Sequence, residues 1–152
     1  MATETADRVR ANTNAELNTR LDHETEARIR IYAAQPPEAI TRRIEELERE
    51  WDMERLLETN ASTLAFVGLA LGAMLNKKFL LIPAVVLPFL FQHAVQGWCP
   101  PMPVFRRLGV RTREEIDAEK YALKALRGDF DRVPKAPGSQ DRAHRAYEAA
   151  RA

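Results

Sequence analysis

The sequence predicts an all-α membrane protein, a two-helix transmembrane hairpin with amphipathic cytoplasmic helices on both sides. Three observations predict it. Between Ala61 and Val95 the only Asp, Glu, Lys or Arg residues are Lys77 and Lys78, although the 152-residue chain holds 23 Lys+Arg and 22 Asp+Glu. That apolar stretch divides into two runs of 17 residues, Thr59–Leu75 and Phe79–Val95, around a polar joint, Asn76-Lys77-Lys78. Both flanks carry charge in helical patterns. The expected organisation is a polar arm over 1–36, partly helical or disordered; an amphipathic helix over 37–58; the hairpin and its exit corner over 59–112; a second amphipathic helix over 113–128; and a flexible tail over 129–152.

A 17-residue helix is roughly 26 Å long, a little short of a bilayer core of about 30 Å. Local thinning and snorkelling lysines absorb such a deficit. A three-residue joint forces antiparallel neighbours. The alternative is a soluble helical hairpin, alone or in an oligomeric bundle. Neither arm has an apolar face wide enough to cover two such helices. Arg42, Arg43, Arg49 and Arg55 precede the hairpin, and Arg106, Arg107, Arg111 and Arg113 follow it. Eight arginines against two lysines place both termini in the cytoplasm and the joint outside.

In the first run, Gly68 and Gly72 form a small-xxx-small pair, with Ala61 and Ala65 at the same spacing upstream. Small residues let helix backbones approach in lipid. The pair serves either packing against the second run or a homodimer seam. Pro83 and Pro88 lie in the second run, where each is expected to kink the helix. Gln92 and His93 sit about one turn from its cytoplasmic end. An interfacial place is expected for both, although an intramembrane histidine is a functional candidate.

Before the hairpin, Ile40, Ile44, Leu47 and Trp51 recur at 4-3-4 spacing, opposite a face of Arg42, Arg43, Glu46, Arg49 and Glu50. This mixed charge favours helix pairing over an anionic lipid surface, and Trp51 suits the headgroup level. Leu17, Leu21 and Ile31 suggest a further helix upstream. The first dozen residues are expected to lack order.

After the hairpin, Gly97, Trp98, Pro100 and Pro101 form an exit corner. Pro100, Pro101 and Pro103 restrict the backbone, so an extended turn is expected, then a return along the interface with Arg106 and Arg107 toward headgroups. Thr112-Arg113-Glu114-Glu115 reads as a capping box. The helix it starts carries Ile116, Leu123 and Leu126, a stripe interrupted by Glu119 and Lys120, which points to a surface or partner-facing helix. Gly128 suits its C-terminal stop. A linker over residues 131–140 then leads to a frayed terminal helix over about 141–152.

Near-balanced charge argues against a nucleic-acid partner. The segment MATETADRVRANTNAEL has no apolar core, so no cleavable signal peptide is expected. His23, His93 and His144 are far apart, so neither a metal site nor a cofactor is expected. Cys99 is the single cysteine. It is the candidate reactive thiol, with His93 its candidate polar neighbour; cations beside it would lower its pKa. The plainer reading is a small buried residue beside Trp98.

The hairpin, followed by Gly97-Trp98-Cys99-Pro100 and then Leu108-Gly109-Val110-Arg111-Thr112, resembles the YgaP-like inner-membrane domain, a bacterial transmembrane hairpin of unknown function. The likeness covers roughly Glu54–Thr112. In that family the hairpin is sometimes fused to a rhodanese domain that carries sulfur on a cysteine. This chain has no α/β segment of that length, and Pro100 and Pro101 follow Cys99 in place of a basic, glycine-rich loop. The resemblance therefore implies the hairpin in a bacterial inner membrane and a dimer, without the sulfurtransferase activity. Two functions follow: a structural and interaction protein that oligomerises and presents helices to a cytoplasmic protein partner, not an enzyme; or a sulfur or redox relay through Cys99.

Overall fold

The computed structural model describes residues 7–131, 133–135 and 138–151. Every regular element among them is helical: α1 (Arg8–Ala11), α2 (Ala15–Ala33), α3 (Pro37–Arg49), α4 (Met53–Met74), α5 (Leu81–Gln96), α6 (Met102–Arg107), α7 (Arg113–Arg127) and α8 (Ser139–Arg151), with a 3-10 turn, Lys77–Leu80, leading into α5. The chain forms two compact units. One comprises Met1–Leu21 and Trp51–Glu114, the other Asp22–Glu50 and Glu115–Ala152.

In the first unit, α4 and α5 form the hairpin. Two helical stretches, one ending at Met74 and the other Lys77–Gln96, are long and apolar enough to cross a membrane. Asn76 shapes the joint, its side chain accepting from the Lys78 N–H at 2.9 Å. The small residues of α4 are used inside the chain. A β-carbon on Gly68 would lie 2.6 Å from Pro83 Cδ and 2.8 Å from Ile82 Cβ, and one on Gly72 would lie 2.8 Å from Leu80 Cγ. Of the two readings of this pair, the structure displays packing against the second run. Pro83, expected to kink the helix, is the third residue of α5, where its missing N–H costs no helical hydrogen bond. Pro88 alone lies in the helix interior.

The single helix expected over 37–58 is divided. Helix α3 ends at Arg49, and Glu50 is extended at φ −63°, ψ 135°. Asp52 then caps α4: its Oδ1 accepts from the Arg55 N–H at 2.8 Å, and Oδ2 pairs with Arg113. Trp51 is exposed, with the Arg55 guanidinium 4.5 Å from its ring centre. The order expected to be missing before residue 12 is present from Asp7, whose carboxylate caps α1 by accepting from the Arg10 N–H at 2.8 Å. The first six residues lie outside the described residues.

The second unit has a core of its own. Ile40, Ile44 and Leu47 of α3 pack with Ile116 and Leu123 of α7, flanked by Tyr32. The apolar face of α7, expected to await a partner, is therefore covered within the chain. Of the two residues that interrupt it, Lys120 pairs with Glu48 at 3.3 Å and Glu119 is fully buried. Arg28 Nε lies 3.2 Å and Arg43 Nε 3.0 Å from its two carboxylate oxygens, so two guanidiniums neutralise it. Leu126 remains exposed. Gly128, at φ +87°, ends α7 as expected. The tail is helical over α8, and the fully buried Lys124 ammonium donates to the Ala150 carbonyl at 2.8 Å. Arg132, Ala136 and Pro137 of the linker lie outside the described residues, as does Ala152.

Gly68→Val forces a side chain into the contact with Ile82 and Pro83. Overpacking of this kind costs about 1–3 kcal/mol. In mixed micelles titrated with a denaturing detergent, Gly68→Val is expected to lose helicity well before wild type, while Leu69→Ala, on the exposed face, is not. Equal transitions for the two variants would contradict the packing described.

Candidate functional site at the exit corner

The exit corner is built where α5 stops. Gly97 takes φ +74°, and its N–H donates to the His93 carbonyl at 2.7 Å. This left-handed residue is the ordinary glycine stop of a helix. Glycine is required for a second reason: a β-carbon here would sit 2.6 Å from the Arg8 carbonyl carbon. Helix α1 thus lies directly against the end of α5. The Arg8 guanidinium donates to Ala94 O at 2.7 Å, and Asn12 Nδ2 donates to Gln96 O at 2.9 Å. A cation and an amide from the N-terminal arm satisfy carbonyls that the end of α5 leaves open, and the cation also suits the negative end of the helix dipole.

The chain then turns back into a helix, not an extended strand. Pro103 lies in the first turn of α6, where proline is tolerated. The Cys99 carbonyl accepts from the Met102 N–H at 3.1 Å. Arg106, expected to face headgroups, is 0 % exposed. Its guanidinium donates to Thr13 Oγ1 at 3.2 Å, Val110 O at 3.1 Å and Asn18 Oδ1 at 2.9 Å. A buried guanidinium is tolerated when its N–H groups are spent this way. Arg107 is exposed. Thr112, also fully buried, donates its hydroxyl to Asp7 Oδ2, and the Met53 N–H donates to Arg111 O at 2.9 Å. Apart from the local Arg106–Val110 bond, these bonds tie segments distant in sequence.

Cys99 is 4 % exposed and packs with Val9, Met53, Leu57 and Met102. Trp98, expected at the headgroup level, is half-buried against the same cluster, while Pro100 and Pro101 are exposed. Burial pushes the Cys99 thiol up, outweighing the opposing hydrogen bond from Met102. This is the opposite of what a nucleophilic thiol needs. His93, 7 % exposed, and Cys99 both line an apolar cavity of 290 Å³ walled by Leu57, Ala61, Phe89 and Phe105. The two candidates are thus brought to one cavity, Gly97 supplying the break between them.

A second cavity, of 440 Å³, shares His93 and Leu90 with the first. Arg8, Glu54, Glu58 and Gly97 also line it. The sequence reasoning missed Arg8, Glu54 and Glu58. Asp52 was the available signal, since a capping residue there puts the two glutamates in the first turns of α4, just ahead of the apolar run. Burial raises the Glu54 carboxyl above its ordinary value, and Asp52, Glu114 and Asp7 push the same way. Among the described residues no three His, Cys, Asp or Glu side chains are grouped to hold a metal ion. In comparisons with known proteins, the chain matches no family model, no curated protein and no solved structure.

The burial of Cys99 sets its reactivity. At pH 7.5 in mild detergent, maleimide labelling is expected to run about tenfold or more slower than in the denatured chain, because both access and the thiolate fraction are reduced. Equal rates in the two states would place the thiol at the surface.

Proposed function

We propose that this chain is a small bacterial inner-membrane protein that anchors cytoplasmic helices and acts through protein contacts, not through catalysis. The hairpin spans the bilayer, both termini lie in the cytoplasm, and the anchored helices meet a cytoplasmic protein or a second copy of the chain. The observation that carries the reading is the uncovered apolar surface of α4 and α5: Phe66 is 74 % and Phe91 72 % exposed. Apolar area of this extent calls for lipid or protein around it. The arginine asymmetry supports the orientation. The YgaP-like pattern at Gly97–Pro100 and Leu108–Thr112 supports the same assignment.

Relay chemistry at Cys99 gains nothing from the geometry, because the thiol is buried and its pKa is raised. Gly68 and Gly72 are occupied by Ile82, Pro83 and Leu80, so self-association in this reading uses other surfaces of the hairpin or the exposed faces of α3 and α7.

Affinity capture from detergent-solubilised native membranes, after crosslinking, tests the proposal. Wild type and Cys99→Ser are expected to retain the same protein neighbours, including tagged copies of the chain where it self-associates. A strictly monomeric hairpin with no captured neighbour would contradict the reading, and neighbours lost only in Cys99→Ser would move the function to the thiol.

A further inference from the structure

Two buried polar side-chain atoms among the described residues have no hydrogen-bond partner: Glu54 Oε2 and His93 Nδ1. Both residues line the same 440 Å³ cavity, in the company of Arg8 and Glu58. His93 is more than nine-tenths buried. A buried carboxylate oxygen without a donor is costly, and the cost is relieved by a donor that enters the site. We propose that this cavity binds a primary ammonium group, held by Glu54 and His93.

The lining selects the chemistry. Its charged side chains are two carboxylates and one guanidinium, and that guanidinium is already directed to the Ala94 carbonyl. The shortage is therefore of donors and of positive charge. An imidazole accepts at Nδ1 when its proton is on Nε2, so Glu54 and His93 together offer two acceptors. A quaternary ammonium would call for an aromatic cage, and the lining has no Phe, Tyr or Trp. A divalent metal would call for a denser ligand set than the described residues supply. The elevated Glu54 carboxyl fits a group awaiting a cation. The ammonium comes either from a soluble amine or from an ethanolamine lipid headgroup. The headgroup source is supported by the apolar 290 Å³ cavity, which shares Leu90 and His93 with this one; that source alone rests on the membrane reading above.

The test uses the full chain in phosphatidylcholine nanodiscs. Methylammonium chloride and tetramethylammonium chloride are titrated by calorimetry at equal ionic strength. In parallel, native mass spectrometry reads the lipid retained from an equimolar mixture of phosphatidylcholine and phosphatidylethanolamine. Saturable methylammonium binding, absent for tetramethylammonium, is expected for wild type. Losing a charge-assisted hydrogen bond weakens it about tenfold or more in Glu54→Gln. His93→Gln is expected to show a similar loss, so the result does not hang on one variant, and circular dichroism checks that each folds. Preferential retention of phosphatidylethanolamine by wild type and not by Glu54→Gln assigns the headgroup; methylammonium binding with equal lipid retention assigns a soluble amine. Binding unchanged in both variants, equal binding of tetramethylammonium, or no binding in either arm would overturn the site.

Discussion

The hairpin leaves its apolar side chains uncovered by its own chain, and the rest of the structure answers to that constraint. Only 17 % and 6 % of the two apolar windows are buried inside the molecule. Helices keep their backbone hydrogen bonds internal, so they can enter lipid, provided their ends are finished properly. Burden therefore falls on the termini of α4 and α5. Asp52 caps the start of α4, Asn76 shapes the joint, and Gly97 with Arg8 and Asn12 closes the end of α5.

At the corner after α5 the N-terminal arm becomes a structural part of the hairpin's unit. Arg106 reaches Thr13 and Asn18, Thr112 reaches Asp7, and the Met53 amide reaches the Arg111 carbonyl. These are polar bonds at buried positions, which are worth more than surface pairs because the alternative is an unsatisfied group. The N-terminal arm, from Asp7 to Leu21, is thereby part of the same compact unit as the hairpin. The second unit uses the same device, in Glu119 between Arg28 and Arg43 and in Lys124 at the Ala150 carbonyl.

What could be read in the sequence is what local pattern encodes. The two apolar runs, the joint, and the glycine stops at Gly97 and Gly128 follow from composition and backbone preference. Pro83 misled because position within the helix decides the effect of proline, and the start of α5 depends on the preceding turn. Arg106 misled because an arginine beside an apolar run reads as interfacial until its partners, Thr13 and Asn18, are known; they lie about ninety residues upstream. Glu119 misled for the same reason, since Arg28 and Arg43 are remote in sequence. The cavity at Glu54, Glu58 and His93 was invisible because it needs α1, α4 and α5 together, and α1 is a four-residue helix whose own pattern is negligible. Cys99 could be narrowed to two readings by its prolines, but its burial depends on Val9, Met53 and Leu57.

The most direct measurement of the central claim, that lipid covers the hairpin, is spin-label accessibility. Labels at Phe66 and Phe91, placed one at a time in a Cys99→Ala background, are reconstituted in liposomes. The account predicts strong relaxation by molecular oxygen and weak relaxation by a water-soluble nickel chelate at both positions, as for side chains in a bilayer core. Strong nickel relaxation, or protection from both reagents as in a protein-covered soluble bundle, would contradict it.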